Sequence, residues 1–236
     1  MAEDNNSESK SDNKNSELIE ERRDYTADSL RRSELARTPL AQFSQWLKDA
    51  RARKIIDATA MMVSTADATG QPHSRVVLLK EFDDQGFVWY TYQESDKARQ
   101  LAENNKASIL FYWCLLERQV RIEGQVERLN PADADAYFYS RPEGSRFSAA
   151  ASLQSKPVAN REILEARVAE LHEQYPDGNV PRPDVWGGYR LIPHRFEFWQ
   201  GRADRLHDRF IYTLDTREAR DTESNTTDWQ IKRLSP

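Results

Sequence analysis

The stretch from Phe196 to Phe210, FEFWQGRADRLHDRF, is where the side chains of this chain come nearest to a chemical device. It starts as an alternating strand, with Phe196 and Phe198 on one face and Glu197 and Trp199 on the other. Gly201 breaks the strand, and Arg205, His207 and Arg209 follow at a spacing of two. Were that piece extended, two guanidinium groups would flank an imidazole on one side, a site for a planar anion. The competing interpretation is a solvated charged strand whose arginines are neutralised by Asp204 and Asp208.

Further candidate anion ligands are scattered along the chain. Arg75 and Lys80 bracket Val76-Val77-Leu78-Leu79, an apolar run that reads as a strand buried on both faces. Five residues apart, the two cations would point to opposite faces of a regular strand. They could serve two anions, serve one through a twist, or simply reach solvent. Lys97 falls in the first turn of a helix with Ser95 at its N-cap, where a phosphate would offset the unfavourable dipole. Tyr137 and Arg141 are one helical turn apart and could clamp a second phosphate with Ser145 beyond, or be ordinary packing. Two phosphate-bearing ligands fit this inventory better than one. The eight glycines form neither G-x-G-x-x-G nor a P-loop, so side chains rather than a backbone cradle must hold any phosphate. The four histidines lack zinc-type spacing, there is no G-x-S-x-G elbow, and no metal is expected.

The elements that must position these groups follow from caps and periods. Thr38-Pro39 opens an amphipathic helix through Leu40, Phe43, Leu47 and Ala50, ending near Lys54. Strands are predicted at 60–65, 74–80, 87–92, 108–113 and 117–128, with a bulge or close approach at Gly124. Further strands are predicted at 188–192, 195–200, 209–214 and 229–234. Helices are predicted from Ser95 to Asn105, from Asn130-Pro131 to Pro142, and over 160–175 with Leu164, Val168, Leu171 and Tyr175 as its core stripe. Hairpin connections between these strands favour an antiparallel barrel with four helices packed outside.

Composition bounds the rest. With 236 residues, 38% hydrophobic, the chain is sized for a single domain over 22–236 plus an acidic tail over 1–21 that is expected to be disordered. Of 39 acids and 34 bases, seven acids and two bases lie in that tail, which leaves 32 of each in the remainder. A balanced domain offers no field for a nucleic-acid backbone, so no nucleic acid is expected as a partner. No apolar run suits a membrane helix and the N-terminus lacks signal-peptide character, so no membrane association and a cytoplasmic location are expected. The lone Cys114, between Trp113 and Leu115, reads as buried packing. Arg22, Arg23 and Tyr25 form a basic aromatic arm, either a plain surface segment or a flap over a site.

Taken together, RVVLLK (75–80), WYT (89–91), ERQV (117–120), YFYSRP (137–142), QS (154–155), WGGYR (186–190), EFWQG (197–201) and RLHDR (205–209) resemble the pyridoxamine/pyridoxine 5′-phosphate oxidase family, in order, from about Arg22 to Pro236. The resemblance implies a mainly β, α+β fold: an FMN-binding split β-barrel, antiparallel with packed helices. It implies a homodimer with FMN at the subunit interface and both subunits contributing to each site. It also implies oxidation of pyridoxine or pyridoxamine 5′-phosphate to pyridoxal 5′-phosphate, with O2 as acceptor, H2O2 as product and ammonia from the amine. FMN contacts implied by position are Arg75, Val76, Val77, Leu78, Leu79, Lys80, Tyr90, Thr91, Lys97, Gln119, Gln154, Ser155, Trp199 and Arg209. Lys80, Tyr137, Arg141 and Ser145 would clamp the substrate phosphate. Arg205, Leu206 and His207 would hold the pyridine ring, Arg22, Arg23, Asp24 and Tyr25 would close over it, and Asp57 matches a position near the site. Hydride transfer from substrate C4′ to flavin N5 depends on alignment more than on a strong base, so positioning should dominate.

One departure from the family pattern is Asp96, where a basic residue is usual just before the lysine that Lys97 matches. A carboxylate there would repel a phosphate, so Asp96 is expected to turn outward at the helix start. The polar insert over 215–228 also looks longer than usual. A non-catalytic flavin- or pyridoxal-phosphate-binding module on the same barrel is the alternative, and the second phosphate clamp argues against it.

Overall fold

The computed structural model describes residues 23–214 and 229–236. The acidic tail, Arg22 and the insert over 215–228 lie outside the described residues. The chain forms helix α1 (Pro39–Ala52), strands β1 (Ala60–Ala66), β2 (Pro72–Leu78), β3 (Glu81–Asp83) and β4 (Gly86–Tyr92), helix α2 (Asp96–Glu103), and strands β5 (Lys106–Trp113) and β6 (Arg118–Arg128). Helices α3 (Pro131–Ser140), α4 (Glu143–Ala151) and α5 (Arg161–Gln174) follow, then β7 (Trp186–Gln200), β8 (Asp208–Leu214) and β9 (Trp229–Leu234).

All strand pairs are antiparallel, in the order β2-β1-β5-β6-β7-β4-β3, with β8 added to β7 and β9 to β8. The two predicted strands 188–192 and 195–200 are one, β7, paired with β6 along its length. Its first half, through Leu191, pairs with β4 and its second half, from Arg195, pairs with β8. The sheet therefore forks at Pro193. Opposite the fork the register slips at Gly124, and a Cβ there would stand 2.2 Å from the Ile192 carbonyl oxygen, so the bulge requires glycine.

The caps read from sequence operate as predicted at two helices. The Thr38 hydroxyl accepts from the Ala41 N–H, and the Asn130 side chain accepts from Asp133. Phe43, Trp46, Leu47 and Ala50 of α1 enter the curled sheet, where Phe43 meets Phe87, Phe82 and Phe111 at ring separations of 5.0, 5.0 and 4.9 Å. A second cluster, Phe138, Phe147, Val180 and Trp186, unites α3 and α4 with the start of β7. Helix α5 packs on this cluster only partly: Val168, Leu171 and Tyr175 touch it, and none of the helix is fully buried.

Several expectations are corrected. Helix α4 and the short strand β3 were not predicted, which makes five helices and nine strands among the described residues. Strand β2 is not buried on both faces. It is an edge strand, and Val76 is 67% exposed because no strand covers it. Cys114 is exposed rather than packed, since it opens a 3-10 turn that leaves the sheet after Trp113.

Candidate functional site

A cleft of about 1050 Å³ opens between β2, β4, the start of α2 and the α3–α4 corner. Arg75 and Lys80 both line it, although five apart. The regular strand ends at Leu78: the Leu79 N–H goes back to Thr59 while the Lys80 N–H crosses to Val88 on β4. This switch of partner between neighbouring residues turns Lys80 into the same cleft as Arg75 and sends Leu79 into the core. Val76 and Leu78 form an exposed apolar wall, and Val77 also lines the cleft.

Lys97 lies at the floor, 6% exposed. Its ammonium donates to Thr91 Oγ1 at 2.8 Å, Gln154 Oε1 at 2.7 Å and Ser95 Oγ at 3.2 Å, all neutral oxygens. Burial, with Arg75 nearby, lowers its pKa to about 8, and only Asp96 works the other way. Ser95 occupies the N-cap position of α2 without capping it. Its hydroxyl donates to the Tyr92 carbonyl, which leaves the oxygen for Lys97. Asp96, expected to turn outward, is among the residues that line the cleft, where its half-exposed carboxylate pairs with Arg99 and its N–H donates to Ser155 Oγ at 3.2 Å.

Arg75 is steered by residues the sequence reading did not single out. Its guanidinium donates to Thr65 Oγ1 at 2.7 Å and to Gln100 Oε1 at 3.1 Å, and Thr65 and Gln100 are both buried. No sequence signal marks Gln100, which falls mid-helix and meets Arg75 only through the packing of α2 on β1. Burial lowers the pKa of Arg75, though a guanidinium keeps its charge throughout.

On the opposite wall Tyr90, Tyr137 and Trp186 stack, with Tyr90 and Tyr137 4.0 Å apart and 16° from parallel. Arg141 lies 5.0 Å over the Trp186 ring, and Lys80 Nζ lies 6.0 Å over Tyr137. The Arg141 Nη1 atom is buried without a hydrogen-bond partner among the described residues. Desolvation lowers the Arg141 pKa and, with Glu81 and Asp133 nearby, pushes that of Tyr90 up to about 12. Ser145, Gln154 and Ser155 also line the cleft, with Ser148 on α4 and Ser152 at its C-terminal cap.

The remaining candidates gather elsewhere. Gln119, Trp199 and Arg209 stand side by side across β6, β7 and β8, a row set by the register. Arg205 is not part of an extended strand. Ala203–Arg205 is a 3-10 turn with φ of 54° at Asp204 and 61° at Arg205, so the spacing of two does not place Arg205, His207 and Arg209 on one side. Arg205 and Leu206 are exposed. Arg209 is engaged by Glu197, at 2.7 and 2.8 Å, and by the Ser235 carbonyl. Asp208 binds Arg233 and the Leu30 N–H instead of neutralising Arg209. His207 Nδ1 accepts from the Arg202 N–H at 3.1 Å, and burial with Arg205 and Arg209 lowers its pKa. The lowered pKa favours the neutral ring, and an accepting Nδ1 leaves the proton of that form on Nε2.

The N-terminal arm packs on this corner. Tyr25 meets Trp199 at 5.7 Å and His207 at 5.6 Å, both edge-on, and Arg23 stands over Tyr25. Arg23 and Asp24 are exposed; Arg22 lies outside the described residues. None of Tyr25, Gln119, Trp199, Arg205, His207 or Arg209 lines the cleft. Asp57 belongs to neither group: it is exposed, at a left-handed turn with φ of 52°, and its carbonyl accepts from Ala60.

Residues 47–175 match the pyridoxamine 5′-phosphate oxidase family and residues 186–236 match the pyridoxine 5′-phosphate oxidase C-terminal dimerisation region. The chain is 49% identical to a pyridoxine/pyridoxamine 5′-phosphate oxidase of Paraburkholderia phymatum, over 94% of this chain and all of that one. It is 46% identical to the protein of the same name from Trichormus variabilis, over 91% of this chain and 96% of the relative. Among solved structures, PhzG from Burkholderia lata, crystallised with tetrahydrophenazine-1-carboxylic acid, is 32% identical with a TM-score of 0.79, covering 89% of this chain and 98% of that one. A pyridoxamine 5′-phosphate oxidase-related, FMN-binding protein from Nostoc punctiforme shares the fold with a TM-score of 0.66 at 15% identity, over 86% of this chain and all of that one. No described helix is long and apolar enough to cross a membrane.

Proposed function

This chain belongs to the pyridoxamine 5′-phosphate oxidase family, and from that premise we propose that it oxidises pyridoxine or pyridoxamine 5′-phosphate to pyridoxal 5′-phosphate with FMN as its cofactor. The donor set of the cleft suits two phosphates. One cation group, Arg75 and Lys97, is held by neutral oxygens, and the carboxylate at the cleft beside it, Asp96, is paired with Arg99. The other, Lys80 and Arg141, lies across the cleft beside Tyr137 and Ser145. The observation that carries the reading is the buried Arg141 Nη1 left without a partner, together with a buried ammonium that has only neutral acceptors. Buried cationic donors in that condition are costly until an anion arrives.

In this reading Arg75, Lys97, Gln154 and Ser155 hold the phosphate end of FMN, and the apolar wall of Val76 and Leu78 flanks the ring. Lys80, Tyr137, Arg141 and Ser145 hold the substrate phosphate. FMN, when bound, would supply the two-electron acceptor for the substrate's hydride, with O2 as the final acceptor giving H2O2. The chain's own residues align the ring, exclude water and keep charge in place. Arg205 offers a guanidinium to the pyridine oxyanion, and the neutral His207 can donate from Nε2.

The corner and the cleft are separate within one chain, and we propose that a homodimer joins them: the Gln119–Trp199–Arg209 row and the Arg205–His207 turn of one copy complete the cleft of the other. The match to a dimerisation region and the exposed Met62, Val76, Leu78 and Tyr112 support this. Anaerobic addition of pyridoxamine 5′-phosphate to the yellow protein should bleach the flavin absorbance, and air should restore it with one H2O2 per aldehyde. A colourless protein, or a flavin that does not bleach, would end the proposal.

A further inference from the structure

Glu117 and Arg118, at the start of β6, fasten two segments at once. Glu117 is 7% exposed and left-handed, with φ of 53°. Its carboxylate accepts the Ala27 N–H at 2.9 Å and meets Arg23 at 3.3 Å, while its carbonyl accepts the Gly201 N–H at 2.8 Å. Arg118, also 7% exposed, donates to Asp28 at 2.6 Å, Asp49 at 2.8 Å and Gln200 at 2.8 Å, and lies 4.6 Å over Trp46. Arg202 donates in turn to the Asp28 carbonyl.

Asp49 and Trp46 belong to α1, so Arg118 is anchored to the main core. Asp28 belongs to the arm, and Gln200 ends β7 immediately before the turn that carries Arg205 and His207. Gly201 has no side chain where the Tyr25 ring passes: a Cβ there would lie 2.8 Å from three Tyr25 atoms. The arm is thus seated by buried charge on one side and by a missing side chain on the other.

We propose that Arg118 is a positioning residue for the substrate ring: by holding Asp28 and Gln200 together against α1, it sets the distance between Tyr25 on the arm and His207 on the β7–β8 turn. Arg118 itself does not line the cleft. Its buried guanidinium shares two carboxylates, so neutralising Asp28 leaves the Asp49 pair and the core intact while weakening the tie of the arm to Arg118; the Glu117 contacts to Ala27 and Arg23 remain. The inference rests on the reading of this corner as the substrate-ring side of the site.

The test uses the full-length, flavin-loaded enzyme and the variants Asp28→Asn, Tyr25→Ala and their combination. Asp28→Asn should raise KM for pyridoxine 5′-phosphate about tenfold, with kcat within about twofold. Flavin content and Tm should hold. If Arg118 acts through the arm, the double variant should be no worse than Tyr25→Ala alone. Arg118→Lys, which keeps a charge but loses the fork, should fall between wild type and Asp28→Asn. Additive effects in the double variant, or an unchanged KM in Asp28→Asn, would overturn the proposal. If the wild-type enzyme oxidised neither phosphorylated pyridine, the functional reading itself would fall. The rate of tryptic cleavage between Arg23 and Arg32 would then decide the fastening: acceleration of about fivefold or more in Asp28→Asn upholds it, and an unchanged rate rejects it.

Discussion

The cleft and the β7–β8 corner use the same residue types to opposite ends. In the cleft, Lys97 and Arg141 are desolvated without a carboxylate partner, and the Lys97 pKa drops to about 8. In the corner, Arg118, Arg121 and Arg209 each meet a carboxylate, and Glu197 serves two of them. A cation left short of anions is a binding site in waiting, whereas a cation already paired is a brace. The corner therefore contributes shape and rings, through Tyr25, Trp199 and His207, and the cleft contributes charge.

That division can be broken experimentally. The largest effect is expected from Arg205→Ala, because Arg205 is the corner cation for which no ion pair to a described residue is seen: kcat/KM should fall by about 100-fold or more while the protein stays yellow. Loss of flavin instead would move Arg205 to the cofactor side. Next, Lys97→Met should weaken FMN by about 10- to 100-fold, read from the fluorescence of flavin released on dilution, with Tm of the flavin-free protein unchanged or raised because a buried charge is removed. Equal flavin affinity would show that the cleft's charge is not used for phosphate.

A smaller effect is the pH dependence of flavin retention. Lys97 is charged below its pKa of about 8 and neutral above it, so affinity for an anion is full below pH 8 and falls as pH rises beyond. A bound phosphate will push that pKa up and move the fall to higher pH. Lys97→Arg should abolish the fall. The same lowered pKa means that the charged lysine costs flavin-free stability below about pH 8, so that form should gain stability between pH 8 and 10.5. The smallest effect should come from Gly201→Ala, which pushes first on Tyr25: KM up by about two- to fivefold with flavin affinity untouched. A change in flavin affinity there would show that corner and cleft are more tightly linked than one chain suggests.

Much of this was legible from local chemistry. Thr38 and Asn130 cap their helices because a short oxygen-bearing side chain before a proline leaves few alternatives. Gly124 marks the bulge because a strand glycine with large neighbours signals close approach. Helix α4 escaped because Glu143–Ala151 has neither a side-chain cap nor a long apolar stripe; it is held by Phe147 in the second cluster.

The sequence by itself determined which residue types are available, where elements start, and through its motifs the family and the chemistry. Only the tertiary structure decided that Val76 faces open space on an edge strand, that Arg75 and Lys80 share one cleft, and that Arg205 sits on a left-handed turn before β8 and not on an extended strand. It also separated cleft from corner by forking the sheet at Pro193. The physical reason is range. Caps, periods and glycine tolerances act over a few residues, whereas burial, pKa and which cation lacks a partner depend on strands and helices distant along the chain.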